Sequence, residues 1–266
     1  MSSSPSRKLV AVDVGNSRLK LGLFSNVDSR EVPSPEQVLE ISVRQAGWGK
    51  IVAWLAPADV DQFDWRLASV NRPAATRIVD WLREAGATDR VTMLCAHDLP
   101  LAVDLPRPDM VGIDRLLAAV SANRLRTAER AAILVDLGSA ITVDLVSSEG
   151  AFQGGAILPG IAMAARGMYE FTDLLPLLDM HELDVAPAPL GCSTEEAMRA
   201  GLFWGAVGGV RQLIERYEAD LGAGADVFLS GGAAPSVAKL LRSEARYEPH
   251  LVLGGIALCA VLGGPG

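Results

Sequence analysis

The sequence predicts an α/β protein made of two domains of similar plan. Three observations carry that expectation. Apolar runs of strand length alternate with segments of helical period along the chain. The stretch LVAVDVGNSRLKLGLF (residues 9–24) has a counterpart, AILVDLGSAITVDLVS (residues 132–147): setting Asp13 on Asp136 puts Gly15 on Gly138 and Asn16 on Ser139, with apolar runs on both sides in both copies. The chain has 266 residues, half of them hydrophobic, enough to bury one large core or two small ones.

Taken in order, residues 9–24 read as a hairpin of two apolar strands around a tight turn. Residues 25–45 are polar and carry Pro33 and Pro35. KIVAWLA (50–56) reads as a strand, and WRLASV (65–70) as another. NRPAATRIVDWLREAG (71–86) reads as a helix with Pro73 in its first turn and Gly86 as its stop. RVTMLC (90–95) is a strand. A Pro-rich loop then enters a helix near Val111, where Leu116, Leu117, Val120 and Leu125 recur at helical spacing. The charged RLRTAER (124–130) is the expected junction, giving domains over 1–125 and 126–266.

After the second hairpin, AFQGGAILPGI (151–161) is a third strand, and residues 160–175 read as a helix. DVAPAPLGCS (184–193) is a loop. Residues 193–222 form a long helix with Ser193 or Thr194 as its cap and Glu195 and Glu196 in the first turn. DVFLSGGAA (226–234) is a strand running into a Gly-Gly turn. A short helix (235–245) and a buried terminal helix close the chain.

The net charge of −8 argues against a general basic field for nucleic acid. An anionic substrate must therefore be met by local donors: backbone N–H groups, single Arg or Lys side chains, or metal ions. Cys95, Cys192 and Cys259 are far apart, which argues against a zinc site or a disulfide framework and fits a reducing cytosol. His97, His181 and His250 sit in unrelated contexts and do not read as a ligand set. The polar start and the interruption at Asp13 make a poor signal peptide, and residues 251–264 are too short and Gly-rich to span a bilayer. The expectation is a soluble cytoplasmic protein with no membrane partner.

An Asp-x-Gly turn at a strand end suits phosphate binding. Glycine lets the backbone approach a phosphate chain, and the acid can hold Mg²⁺ beside it. Asn16, Ser17 and Lys20 add donors. The same tripeptide is also ordinary hairpin chemistry. Two flanked copies, and Ser230-Gly231-Gly232 after another apolar strand, favour a nucleotide site. In VGIDR (111–115), Asp114 can accept a proton from a substrate hydroxyl and Arg115 can hold a carboxylate. Alternatively, Asp114 serves only the helix dipole and Arg115 is solvated. Thr194 alone is most simply a helix cap, and the tryptophans Trp54, Trp65, Trp81 and Trp204 are packing residues.

The order of motifs is more specific than any one of them. D-x-G-N-S, P-x-x-x-G-x-D-R, D-x-G-S-A-x-T, G-G-x-I-x-P-G, G-x-x-T-x-x-A-M-x-x-G and S-G-G follow one another over nearly the whole chain. This series resembles the type III pantothenate kinases. The resemblance implies two domains of the actin-like ATPase (ribonuclease H-like) fold, that of the acetate and sugar kinase/Hsc70/actin superfamily, with a cleft between them. It implies ATP-dependent phosphorylation of pantothenate to 4′-phosphopantothenate, the first step towards coenzyme A.

By motif, the resemblance implies that Asp13, Val14, Gly15, Asn16, Ser17, Arg18, Leu19 and Lys20 line the ATP phosphates, with Asp13 near Mg²⁺. Ser139 touches ATP. Gly112, Ile113, Asp114, Arg115 and Thr194 contact pantothenate, with Asp114 as catalytic base and Arg115 on the carboxylate. Asp136 holds a monovalent cation, K⁺ or NH₄⁺. The partners implied are ATP, pantothenate and a second copy of the chain in a homodimer. The chain departs from the family pattern at Ile141, where a polar residue is usual, at Ala118-Ala119 in place of Asn-Ala, and at Leu105 in place of a tyrosine. These departures leave room for two rivals: a kinase of another small hydroxy acid on the same fold, or a catalytically silent nucleotide-binding regulator.

Overall fold

The structure is a computed structural model that describes residues 7–45, 47–58, 62–85, 89–180, 185–241 and 244–262. The expected helix stop at Gly86, and His181, lie outside the described residues. The chain forms two compact units. The first takes in residues up to Ala102, Pro106–Leu125 and the chain from His250 onward; the second takes in Val103–Leu105 and Arg126–Pro249.

The first unit begins with strands β1 (Lys8–Val14), β2 (Arg18–Phe24) and β3 (Gln37–Ser42), then helix α1 (Trp48–Leu55). Strand β4 (Phe63–Ser69), helix α2 (Arg72–Ala85), β5 (Arg90–Met93) and α3 (Ile113–Leu125) follow. Its sheet has the order β3-β2-β1-β4-β5, antiparallel through the hairpins and parallel across β1-β4 and β4-β5. Successive strand residues face opposite sides, so Val10, Val12 and Val14 enter one core with Leu19, Leu21, Trp65, Ile51, Ile78 and Leu82. Trp81 stacks on Trp48 at 5.4 Å and meets Trp65 edge-on, so Trp65 and Trp81 are packing residues, as the sequence suggests.

Two expectations change here. KIVAWLA is not a strand: its apolar residues Ile51, Trp54 and Leu55, with Trp48 just before the run, fall at helical spacing and pack as α1 on the core. A short unbroken apolar run does not by itself tell helix from strand. The polar segment 25–45 contains β3, which pairs with β2 as an edge strand. Only Ile41 of β3 is buried, so hydrophobicity gave little signal of it.

The second unit repeats the plan. Strands β6 (Ala132–Leu137), β7 (Ala140–Val146) and β8 (Phe152–Pro159) precede helices α4 (Ile161–Glu170) and α5 (Thr194–Leu221). Strand β9 (Asp226–Ser230), helix α6 (Ala234–Leu241) and the two-residue β10 (Arg246–Tyr247) complete it. The sheet order is β10-β9-β6-β7-β8, the same permutation as in the first unit, with β6-β9 and β9-β10 parallel. Ile133, Val135, Leu137, Ile141 and Val143 pack under Phe203, Val207, Val210 and Ile214 of α5.

The described residues close with helix α7 (Leu251–Leu262), which belongs to the first unit. It packs on α3 and on the face of β1 opposite the valines, and Ser121 Oγ donates to Leu251 O at 2.6 Å. None of the described helices is long and apolar enough to cross a membrane.

Candidate active site

In the first unit, three chain segments meet at the C-terminal ends of β1 and β4. The β1-β2 turn closes with Gly15 N donating to Arg18 O at 3.0 Å. Strands β1 and β4 end level, with Val14 opposite Ser69, and Val70 N donates to Val14 O at 3.1 Å. Asn71 Oδ1 accepts from Ala74 N at 3.2 Å, capping the first turn of α2, while Asn71 Nδ2 reaches Gly15 O at 3.5 Å. The positive end of the α2 dipole is thus tied to the glycine turn, a setting that favours an anion.

The third segment is the start of α3. The Asp114 carboxylate folds back along its own helix end, where Oδ1 accepts from Arg115 N at 2.8 Å. A Cβ on Gly112 would stand 2.6 Å from that oxygen and 3.6 Å from Val70 Cγ1. The absent side chain therefore makes room for the acid and sets Gly112 beside the end of β4. Asp13, Val14, Gly15, Gly112, Ile113, Asp114 and Arg115 all belong to this corner of one unit.

In the second unit, the β6-β7 turn carries the matching acid. Ser230 Oγ donates to Asp136 Oδ1 at 2.8 Å, and Ser230 is 5% exposed. A Cβ on Gly138 would lie 2.8 Å from Asp136 Oδ2, so the other oxygen overhangs the turn. Gly231 has φ +91°, and a Cβ there would strike the Leu137 backbone. A Cβ on Gly160 would collide with the carbonyl oxygens of Ser139 and Gly138. The strand ends of β6, β8 and β9 close on one another because Gly160 and Gly231 allow backbone contact, while Gly138 leaves room for the Asp136 carboxylate.

The two acids occupy equivalent places in different company. Asp13 lies directly across from Lys20 on β2 and beside Ala68 on β4. Asp136 lies across from Thr142 on β7 and beside Ser230 on β9. Directly opposed residues share a sheet face. The first acid therefore shares its sheet face with Lys20, and the second with Thr142 and the Ser230 hydroxyl. Oxygen donors suit a hard cation, and an acid beside a lysine suits a phosphate with its metal.

Other anticipated residues fall as follows. Arg18 pairs with Glu40 at 2.9 Å and Lys20 with the same carboxylate at 3.8 Å, both as partly exposed pairs of little net strength. Asn16 and Ser17 are exposed in the first turn and Ser139 in the second, whereas Leu19 is core. The cap of α5 is Ser193, whose side chain accepts from Glu196 N at 3.2 Å. Thr194 is thereby relieved of capping and exposes its hydroxyl at the helix start. Ile141 is buried in the core, so its lack of a polar group costs the turn nothing. Leu105 packs over Gly154. Asn71 was not singled out as a site group in the sequence, where its signal was an Asn before Arg-Pro at a helix start; Ser230 was read as part of the Ser-Gly-Gly turn, but not as the partner of Asp136.

Two sheets of one permutation, each opening on an acid-bearing hairpin, define the actin-like ATPase and sugar kinase fold. Among solved structures, a putative 2-dehydro-3-deoxygalactonokinase from Sinorhizobium meliloti matches with a TM-score of 0.52 and 14% identity, over 97% of this chain and 100% of that one. An activator of 2-hydroxyisocaproyl-CoA dehydratase from Clostridium difficile, with bound ADPNP, matches with a TM-score of 0.50 and 12% identity, over 96% and 94% of the two chains. The family model for type III pantothenate kinase matches residues 9–216. A type III pantothenate kinase from Rhodopirellula baltica is 35% identical over 91% of this chain and 95% of its own. One from Chlorobaculum parvum is 32% identical over 94% and 92%. The chain belongs to the type III pantothenate kinase family.

Proposed function

We propose that this protein transfers the γ-phosphoryl group of ATP to the 4′-hydroxyl of pantothenate, the first step of coenzyme A biosynthesis. The observation that carries the reading is the corner at Gly112 and Asp114. A carboxylate held over a helix start, beside an arginine and close to a glycine turn capped by a second helix, is the set a hydroxyl acceptor requires. Asp114 orients the pantothenate hydroxyl and takes its proton as the new O–P bond forms and the bridging bond to ADP breaks. Arg115 holds the substrate carboxylate in a two-pronged contact. Thr194 offers a further hydroxyl to pantothenate. The turn from Asp13 to Lys20, with Ser139, binds the ATP phosphates, and Glu40 yields its two cationic partners to them.

Asp13 is the residue that would hold Mg²⁺, and Asp136, with the Ser230 hydroxyl beside it, the residue that would hold K⁺ or NH₄⁺. These ions supply charge neutralisation for the transferring phosphoryl group. We read the protein as a homodimer. Supporting that are the exposed apolar side chains of the second unit, among them Phe171 and Leu174 at 87% and 86% exposure. Sedimentation velocity checks it: a monomer at micromolar concentration would end that part of the reading.

A coupled assay of ADP release with pantothenate, with other small hydroxy acids and without acceptor tests the function. Turnover with pantothenate is expected. Turnover only with another acid would favour the one variation that has a structural basis, Leu105 over Gly154 where a tyrosine is usual. ADP release in no case would remove the kinase reading.

A further inference from the structure

Just after β5, the sequence Leu94-Cys95-Ala96-His97-Asp98-Leu99 makes a single tight turn over Ala96–Asp98. Leu94 and Leu99 are buried and pin its two ends, and Leu94 N donates to Leu67 O at 2.8 Å. Between these anchors, Cys95, His97 and Asp98 are all exposed. Their ligand-capable atoms lie within 4.8 Å of one another, the one such group among the described residues. The turn fixes two of the three. Cys95 N donates to Asp98 Oδ2 at 2.7 Å, and Asp98 N donates back to Cys95 O at 3.0 Å. The other carboxylate oxygen, Oδ1, faces His97 Nε2 at 3.4 Å.

We propose that Cys95, His97 and Asp98 form a binding site for a divalent transition-metal ion, with Zn²⁺ the ion their chemistry suits and a fourth position open to water. Thiolate, imidazole and carboxylate are all established zinc donors. Tetrahedral bonds of about 2.0–2.3 Å place donor atoms roughly 3.3–3.7 Å apart, so the group closes by about 1 Å on binding. Exposed side chains make that adjustment at little cost. Thiolate and carboxylate together cancel the metal charge. The Cys95 thiol proton leaves to solvent as the metal–sulfur bond forms. The backbone N–H of Cys95 on Asp98 Oδ2 is the kind of outer-shell donor that orients a ligating carboxylate. Cysteine spacing and histidine spacing, each read separately, both miss the group, because it takes one residue of each kind.

Cobalt(II) is the probe, added to the full-length reduced protein and followed by the thiolate-to-cobalt charge-transfer absorption. The wild-type protein should develop the band to saturation with a single equivalent, and Zn²⁺ should displace it. Cys95→Ser should abolish the band, with an unchanged far-ultraviolet circular dichroism spectrum showing that the variant is folded. Cys192→Ser should retain it, since that thiol is also exposed but lies elsewhere. His97→Ala should weaken cobalt binding by no less than about tenfold. No band in the wild type, a band that survives Cys95→Ser, loss of the band in Cys192→Ser, or undiminished affinity in His97→Ala would each overturn the proposal.

Discussion

Ser230 donates its hydroxyl to the Asp136 carboxylate at 2.8 Å, and at the matching place beside Asp13 stands Ala68, which has no hydroxyl to give. The internal repeat is therefore exact in strand order and unequal in chemistry. Hydrogen bonds to a charged group contribute about 1.5–3 kcal/mol. Ser230→Ala should raise the half-saturating K⁺ concentration by about tenfold and leave the KM for pantothenate unchanged, while Ser230→Thr should restore most of the loss. An identical K⁺ titration in wild type and Ser230→Ala would count against a positioning role for this hydroxyl.

The salt itself gives a separate check on Asp136. Replacing K⁺ by Na⁺ at constant ionic strength should reduce the steady-state rate sharply. Equal rates in the two salts would take the cation role away from Asp136.

Asp114→Asn keeps the shape of the carboxylate but cannot accept the proton. It should lower kcat by about 10²–10⁴ while the protein stays folded. Gly112→Ala tests the same group from the other side. Its methyl would stand 2.6 Å from Asp114 Oδ1 and push the carboxylate away. We expect kcat to fall with little change in nucleotide affinity. Stopped-time ADP assays together with calorimetric ATP binding separate these effects; a Gly112→Ala enzyme of normal kcat would show that the acid is not held as described.

Ser193 and Thr194 adjoin in sequence but differ in task. Ser193→Ala removes the cap of α5 and should cost about 1 kcal/mol of stability. Thr194→Ala should leave the melting temperature nearly unchanged and raise the KM for pantothenate. Thermal denaturation and kinetics on the two variants check the division, and a reversed pattern would return Thr194 to a purely structural part.

Burial, with the Asp98 charge adding to it, pushes the Cys259 thiol up to about 12, whereas Cys95 and Cys192 are exposed. A thiol reagent at neutral pH should therefore modify two cysteines in the native protein and the third only on unfolding. The sign for stability follows. The unfolded thiol ionises near 9 and the folded one does not, so above that pH the folded state binds the extra proton and stability declines towards pH 12. In Cys259→Ala this part of the alkaline decline should vanish, as denaturant titrations at pH 8 and pH 10.5 would reveal.

Both hairpins, the entry into α3 and the span of α5 were legible in the sequence, because each joins a strong apolar period to a turn or cap residue. Helix α1 was not: residues 50–56 form one apolar run, and its second helical contact, Trp48, lies outside that run. Strands β3 and β10 escaped because one buries a single residue and the other is two residues long. The candidate site was legible as a list of acids and glycines. Its internal order was not, since the bonds from Asn71 to Gly15 and from Ser230 to Asp136 join residues 56 and 94 positions apart. Nothing local in the chain encodes such pairs.

Helix α7 supplies the cover for one face of a sheet whose first strand begins at Lys8. During synthesis, that sheet leaves the ribosome long before its cover is made. Leu9 and Ala11 must wait, wetted or shielded by a chaperone, through the translation of the entire second unit. Early termination within the codons for Leu251–Leu262 would thus injure the oldest part of the molecule rather than the newest.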